Sequence, residues 1–235
     1  PEVYIPGNLV TKIDATINTL TVGRGNNDIV MNTAFGYNAL SGNNSGNGKN
    51  VAIGYNALAG NNSGNGMNTA VGYMALNANT TGHSNAAIGK SLYANTTGFY
   101  NVGVGELSLM NNVDGNYNIG IGYQALKSNV DGAGNIASGS QALWNNISGD
   151  DNVAFGKLAL KNTNANANIA FGTLAGDTNT TGTNNIYMGY YADCASNNLS
   201  NSVAIGTNSQ ITKSDQIVLG KTTTPPEVYI PGDVG

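Results

Sequence analysis

The sequence is short of charge: 22 of its 235 residues are Lys, Arg, Asp or Glu, nine basic and thirteen acidic. With a pI near 4.7 it carries no electrostatic footprint for nucleic acid. Glutamate occurs only at Glu2, Glu106 and Glu227, while Asn and Gly fill close to a third of the positions. Both are poor helix formers, so an α-helical protein is excluded. A single cysteine, Cys194, rules out an intrachain disulfide framework. The lone histidine, His83, has no acidic neighbour in sequence, which argues against a catalytic triad or a histidine metal cluster. Five prolines and no glycine at every third position exclude collagen. No apolar run approaches the ~18 residues of a membrane-spanning helix, so membrane insertion is not expected. Disorder is disfavoured too, since 40% hydrophobic residues with a net charge of -4 leave material for a core. The chain opens at Pro1 without Met or signal peptide, which reads as a fragment or a processed piece.

What is present is a repeat. NTAFGYNAL (32–40) returns as NVAIGYNAL (50–58), NTAVGYMAL (68–76), NIGIGYQAL (118–126) and NVAFGKLAL (152–160), with divergent copies between them. Marker glycines run from Gly23 to Gly220, mostly 16 to 18 residues apart. That period is too short for helical hairpins or propeller blades. It predicts a parallel β-solenoid of about thirteen coils, each with two short strands and two turns. In Val51-Ala52-Ile53 the large residues are expected on one face and the small one on the other. The small middle column, Ala34, Ala52, Ala70, Ala87, Gly103 and onward, marks a face closely approached by another backbone or chain. Leu40, Leu58, Leu76, Leu109, Leu126, Leu143 and Leu160 form a second core stripe.

Asparagine holds one position in ten consecutive coils: Asn32, Asn50, Asn68, Asn85, Asn101, Asn118, Asn135, Asn152, Asn168 and Asn185. At a rung spacing of ~4.8 Å their amides can bond to one another and to a corner of the backbone. Segments such as SGNNSGNG (41–48) and NTTG (79–82, 95–98, 179–182) read as turns. PEVYIPG at 1–7 recurs at 226–232, which suggests modules joined head to tail. The domain reading is an N-terminal β connector at 1–18, a solenoid at 19–220 and a C-terminal connector at 221–235.

These repeats resemble a known class. NVAIGYNAL, the NTTG spacers and the closing SDQIVLGKTTTPPEVYIPG resemble repeats of bacteriophage and large-virus tail fibres. The core of NSVAIGTNSQ (201–210) is similar to the head repeats of trimeric autotransporter adhesins. The resemblance covers about residues 19–235. It implies a left-handed parallel β-roll, three chains side by side, and exposure on a virion or cell surface.

Chemical motifs are weak by comparison. Gly120 to Ala125 fits a loose dinucleotide pattern, and Gly89-Lys90-Ser91 a fragment of a phosphate loop, but neither leads into a helix. No catalytic residue, cofactor or metal is expected, although Asp150 and Asp151 could add a weak cation site. Sequons at Asn43, Asn61, Asn79, Asn95, Asn146, Asn179 and Asn198 look like turn chemistry. The candidate ligand contacts are Tyr37, Tyr55, Tyr73, Tyr123 and Trp144, either as saccharide platforms or as a stabilising ladder. The expected function is a structural and adhesive segment of an extracellular or virion-surface fibre, self-associating as a homotrimer and attaching to a surface glycan or receptor. A self-assembling end-to-end filament is the alternative, with ice binding well behind and an enzyme not expected.

Overall fold

A computed structural model describes residues 15–17, 20–23, 31–42, 48–60 and 66–221. Both copies of PEVYIPG lie outside the described residues, as do most of the two connectors and the centres of the turns at 41–48 and 59–66. No helix occurs among the described residues. The chain divides into two units, residues 1–114 and 115–235.

In the first unit, β1 (Ala15–Ile17) and β2 (Leu20–Gly23) form an antiparallel hairpin, and β2 pairs antiparallel with β3 (Thr33–Gly36). From there β3, β4 (Val51–Ile53), β5 (Thr69–Val71), β6 (Ala86–Ile88) and β7 (Val102–Val104) stack in parallel. The second unit begins with β8 (Ile119–Ile121), β9 (Ile136–Ser138), β10 (Val153–Phe155), β11 (Ile169–Phe171) and β12 (Ile186–Met188). It continues through β13 (Asp193–Cys194), β14 (Val203–Ile205), β15 (Gln210–Ile211) and β16 (Ile217–Leu219). Of these, β8 to β12, β14 and β16 form one parallel sheet, and β13 pairs with β15 in a second. Four parallel turns in the first unit and six in the second make about ten, fewer than the thirteen expected. The difference begins at Gly23, which closes an antiparallel hairpin strand and not a coil.

Most coils contain one strand where the repeat predicts two. After the marker glycine, alternate residues enter the left-handed region, as in Asn38 (φ 54) and Leu40 (φ 54), so a second extended run cannot form. The rungs still bond backbone to backbone there: Leu40 N–H donates to Ala57 O (3.1 Å) and Leu58 N–H to Ala75 O (3.0 Å). Among the described residues a second strand appears only at β13 and β15, where that alternation gives way.

Alternation gives two faces, and the structure shows which of them is inside. In most parallel strands the small middle residue is the buried one and the large residues point outward; β12 and β16 bury Tyr187 and Val218 at that position. A coil of ~17 residues brings its two walls so close that alanine fills the gap. The tightness is measurable at Gly103, where an added Cβ would lie 3.2 Å from Leu92 Cγ and 3.1 Å from Ser91 Cβ. The opposite wall is the leucine stripe, fully buried and including Leu92 as well. The marker glycine meets the same crowding along the stack: a Cβ on Gly156 (φ 132) would lie 2.5 Å from Gly172 O.

Candidate functional site

The asparagine column is buried throughout. Within each unit every Oδ1 of the column accepts the backbone N–H of the next asparagine, as in Asn68 to Asn50 (3.1 Å), Asn85 to Asn68 (3.0 Å) and Asn152 to Asn135 (3.0 Å). The Nδ2 groups of Asn68, Asn135 and Asn168 donate to carbonyls across the corner, Gly82 O (3.0 Å), Gly149 O (2.7 Å) and Gly182 O (2.9 Å), whereas Asn32 Nδ2, in the first rung, is buried without a partner. The column ends at Ser202, whose N–H donates to Asn185 Oδ1 (3.0 Å).

A second ladder shares those carbonyls. Asn79, Asn95, Asn112, Asn129, Asn146 and Asn179, with Thr163 in one coil, are fully buried. Asn79 Nδ2 donates to Gly82 O (2.8 Å) and Asn146 Nδ2 to Gly149 O (2.9 Å), so those oxygens each accept two amides. Asn95 Nδ2 also reaches Asn79 Oδ1 (2.9 Å), and Asn112 Nδ2 reaches Asn95 Oδ1 (2.8 Å). Asn79, Asn95, Asn146 and Asn179 read as turn residues in the sequence. The signal that finds them is their constant offset of three from the leucine column: Leu76 to Asn79, Leu92 to Asn95, Leu143 to Asn146. Four sequons therefore carry buried, bonded asparagines (Asn79, Asn95, Asn146, Asn179), which a folded chain cannot present for glycosylation. Asn198 is exposed, while Asn43 and Asn61 lie outside the described residues.

The aromatic candidates separate into groups. Tyr37, Tyr55 and Tyr73 stack with centroids 5.2 and 5.5 Å apart, and Lys90 Nζ lies 6.0 Å from the Tyr73 ring. Stacked this way they turn edges and hydroxyls to solvent, and Tyr55 has neither face open. Tyr123 is exposed at the same repeat position in the second unit. Trp144 belongs to another column, just past the buried Ala142-Leu143 pair. Lys127 and Lys161 place their ammonium groups 5.8 and 5.5 Å from its ring, giving a cationic ridge around an indole.

Other groups turn inward. Ser91 Oγ donates to Gly103 O (2.9 Å) in place of any phosphate contact. Asp150 Oδ1 accepts the N–H of Ala133 (2.7 Å). Among the described residues no cluster of three or more His, Cys, Asp or Glu could hold a metal. Cys194 is buried, and burial is the largest of the influences that push its thiol up to about 12, which leaves it a poor nucleophile.

Asp193, also buried, accepts the Thr178 hydroxyl (2.7 Å) and the N–H groups of Thr178 (3.1 Å) and Cys194 (2.8 Å). Desolvation by burial outweighs those bonds and raises its carboxyl above 3.8; burial raises Asp177 too, against the pull of Lys161. A folded-state value above the unfolded one means that the folded chain binds the proton more tightly. Stability is then highest below the unfolded value and falls as pH rises through the folded-state value. Thermal unfolding is expected at a lower temperature at about pH 7 than at about pH 4. Calorimetry of the Asp177→Asn/Asp193→Asn variant should show a flatter profile, and an unchanged slope would reject the assignment.

The recurring surface feature is the outward face of the parallel strands. Phe155 and Phe171 stack at 5.1 Å with an interplanar angle of 2°, exposed by 40% and 41%. In the second unit Ile121, Met188, Ile205, Ile217 and Leu219 continue that face; in the first unit Phe35, Ile53 and Ile88 do the same. No outward strand position from β3 to β16 in the parallel sheets carries a charge. No family model and no curated protein matches the sequence.

Proposed function

We propose that the chain is a segment of an extracellular or virion-surface fibre in which three copies lie side by side. Its role is that of a shaft that also carries attachment contacts. The uncharged apolar strand face supports this reading: a row of Phe, Ile, Val and Met left in water on coil after coil marks an interaction surface. A partner able to match every rung must share the rung spacing, and another copy of this chain does so. Three copies follow the resemblance to trimeric adhesin heads. Attachment to a surface glycan or receptor falls to the opposite wall, where the Lys127–Trp144–Lys161 ridge suits an acidic saccharide. Three such ridges on one trimer raise avidity by multivalency.

Light scattering on the purified chain tests the reading. A mass near three times 24.0 kDa is expected, and Phe171→Lys should shift it toward the monomer. A native chain that stays at 24.0 kDa over micromolar concentrations overturns the proposal. Growth into long filaments of undefined mass would favour the end-to-end alternative. If the trimer forms, Trp144→Ala should leave its mass unchanged and weaken retention on immobilised acidic glycans.

A further inference from the structure

Each strand face has two flanks. On one stands the residue after the marker glycine; on the other stands the residue before the ladder asparagine. Within a coil the two lie six residues apart, as with Met67 and Tyr73, which are 50% and 54% exposed. The outward positions between them are Thr69 and Val71. Six extended residues span roughly 20 Å, so the two flanks of one coil cannot meet within a chain.

Their chemistry is nevertheless complementary in several coils, although Ser84 and Lys90, Tyr100 and Glu106, and Asn184 and Tyr190 show no such match. In the second unit Asp151 stands across from Lys157, and Asp215 from Lys221. All four are exposed. Small residues face small ones elsewhere: Gly134 and Ser140, Ala167 and Thr173. In the first unit Tyr55 stands across from Lys49, and Tyr37 and Tyr73 from Met31 and Met67. Met31 and Met67 can meet the edges of Tyr37 and Tyr73 in sulfur–aromatic contacts, and Lys49 can reach only the hydroxyl edge of Tyr55, whose faces are both stacked. Like charges never fall on the same level among the described coils. Met67 (φ 60) and Asp151 (φ 56) also hold left-handed backbone that glycine adopts freely, as Gly134 (φ 70) does on the same flank. Their side chains gain little from their own chain in return.

Cyclic symmetry supplies the missing contact. When identical faces are arranged around a threefold axis, one flank of each copy meets the other flank of the next at the same height. We infer that the two flanks form the seam between neighbouring copies of this chain, with Asp151 paired to Lys157 and Asp215 to Lys221 of the adjoining copy. This rests on the trimer reading above and says which residues close it. It also places the exposed Tyr37–Tyr55–Tyr73 ladder in the seam and not on the glycan-facing surface.

The test uses the full chain with Asp151→Cys and Lys157→Cys together. A disulfide needs Cα atoms within about 7 Å, so bonds should form between chains and not within one. Mild oxidation is expected to give covalent trimers on a denaturing gel, reversed by reductant, while either single variant stays monomeric on the gel. In the uncrosslinked protein, Lys157→Glu should weaken the trimer roughly tenfold and Asp151→Lys/Lys157→Glu should restore it. If light scattering finds a trimer, yet the double-cysteine chain does not crosslink and the exchanged charges bring no rescue, the seam is wrong and the trimer stands. If the native chain is a monomer, the trimer reading fails first, and the seam with it.

Discussion

Tyr187→Ala is expected to destabilise the second unit by about 3–5 kcal/mol, the range for emptying a large buried aromatic site. Gly176→Leu in the same chain should return most of that loss. Tyr187 stands in the small-residue column, paired in register with Ala170 and Ala204, and is fully buried. It fits because Gly176 occupies the place where other coils carry leucine. A Cβ on Gly176 would lie 2.7 Å from both Leu160 Cδ2 and Tyr187 Cδ2. Alone, then, Gly176→Leu overpacks the site and costs about 1–3 kcal/mol. The double variant rebuilds the Ala-over-Leu pair of the other coils, with the left-handed backbone (φ 67) that their leucines also adopt. Amide hydrogen exchange over β11, β12 and β14 measures each corner of the cycle. Additive effects, with no coupling between the two positions, would refute the compensation.

Asn135→Ala should cost about 3 kcal/mol, because it leaves a buried donor without a partner. Asn135 Oδ1 accepts both the N–H (3.0 Å) and Nδ2 (3.1 Å) of Asn152, and its own Nδ2 reaches Gly149 O (2.7 Å). Gly149 O retains Asn146, and Asn152 Nδ2 retains Ala165 O (2.7 Å). The Asn152 N–H has no second acceptor of this kind, so its exchange protection should fall by about two orders of magnitude. Asn166→Ala is the matched control: Asn166 is exposed, its Oδ1 accepts only Asp150 N–H (2.9 Å), and the effect should stay within about 0.5 kcal/mol. Equal effects at the two positions would show that burial of the ladder carries no special weight.

Sequence and structure part company at identifiable residues. The solenoid, its period and the Asn32-to-Asn185 column are legible because a stack of identical rungs repeats the same demand every ~17 residues. The second ladder was obscured because Asn79, Asn95 and Asn179 sit in NTTG segments that carry ordinary turn chemistry. The reading of Val51-Ala52-Ile53 placed alternation correctly but could not say which side was inside. Alternation gives two faces; only the distance to the opposite wall chooses between them. At Gly103 that wall lies so near that a single Cβ would crowd it.

The scarcity of charge and glutamate, with the recurring Asn and Gly, determined by itself that the described residues form a β stack without helix, bonded through buried amides. Tertiary structure decided how thin the stack is, and therefore that alanine and leucine face inward while Phe, Ile, Val and Met face out. Periodicity is a property of the chain, so sequence carries it. Sidedness depends on how closely two walls approach, and that is set only once the coil has closed.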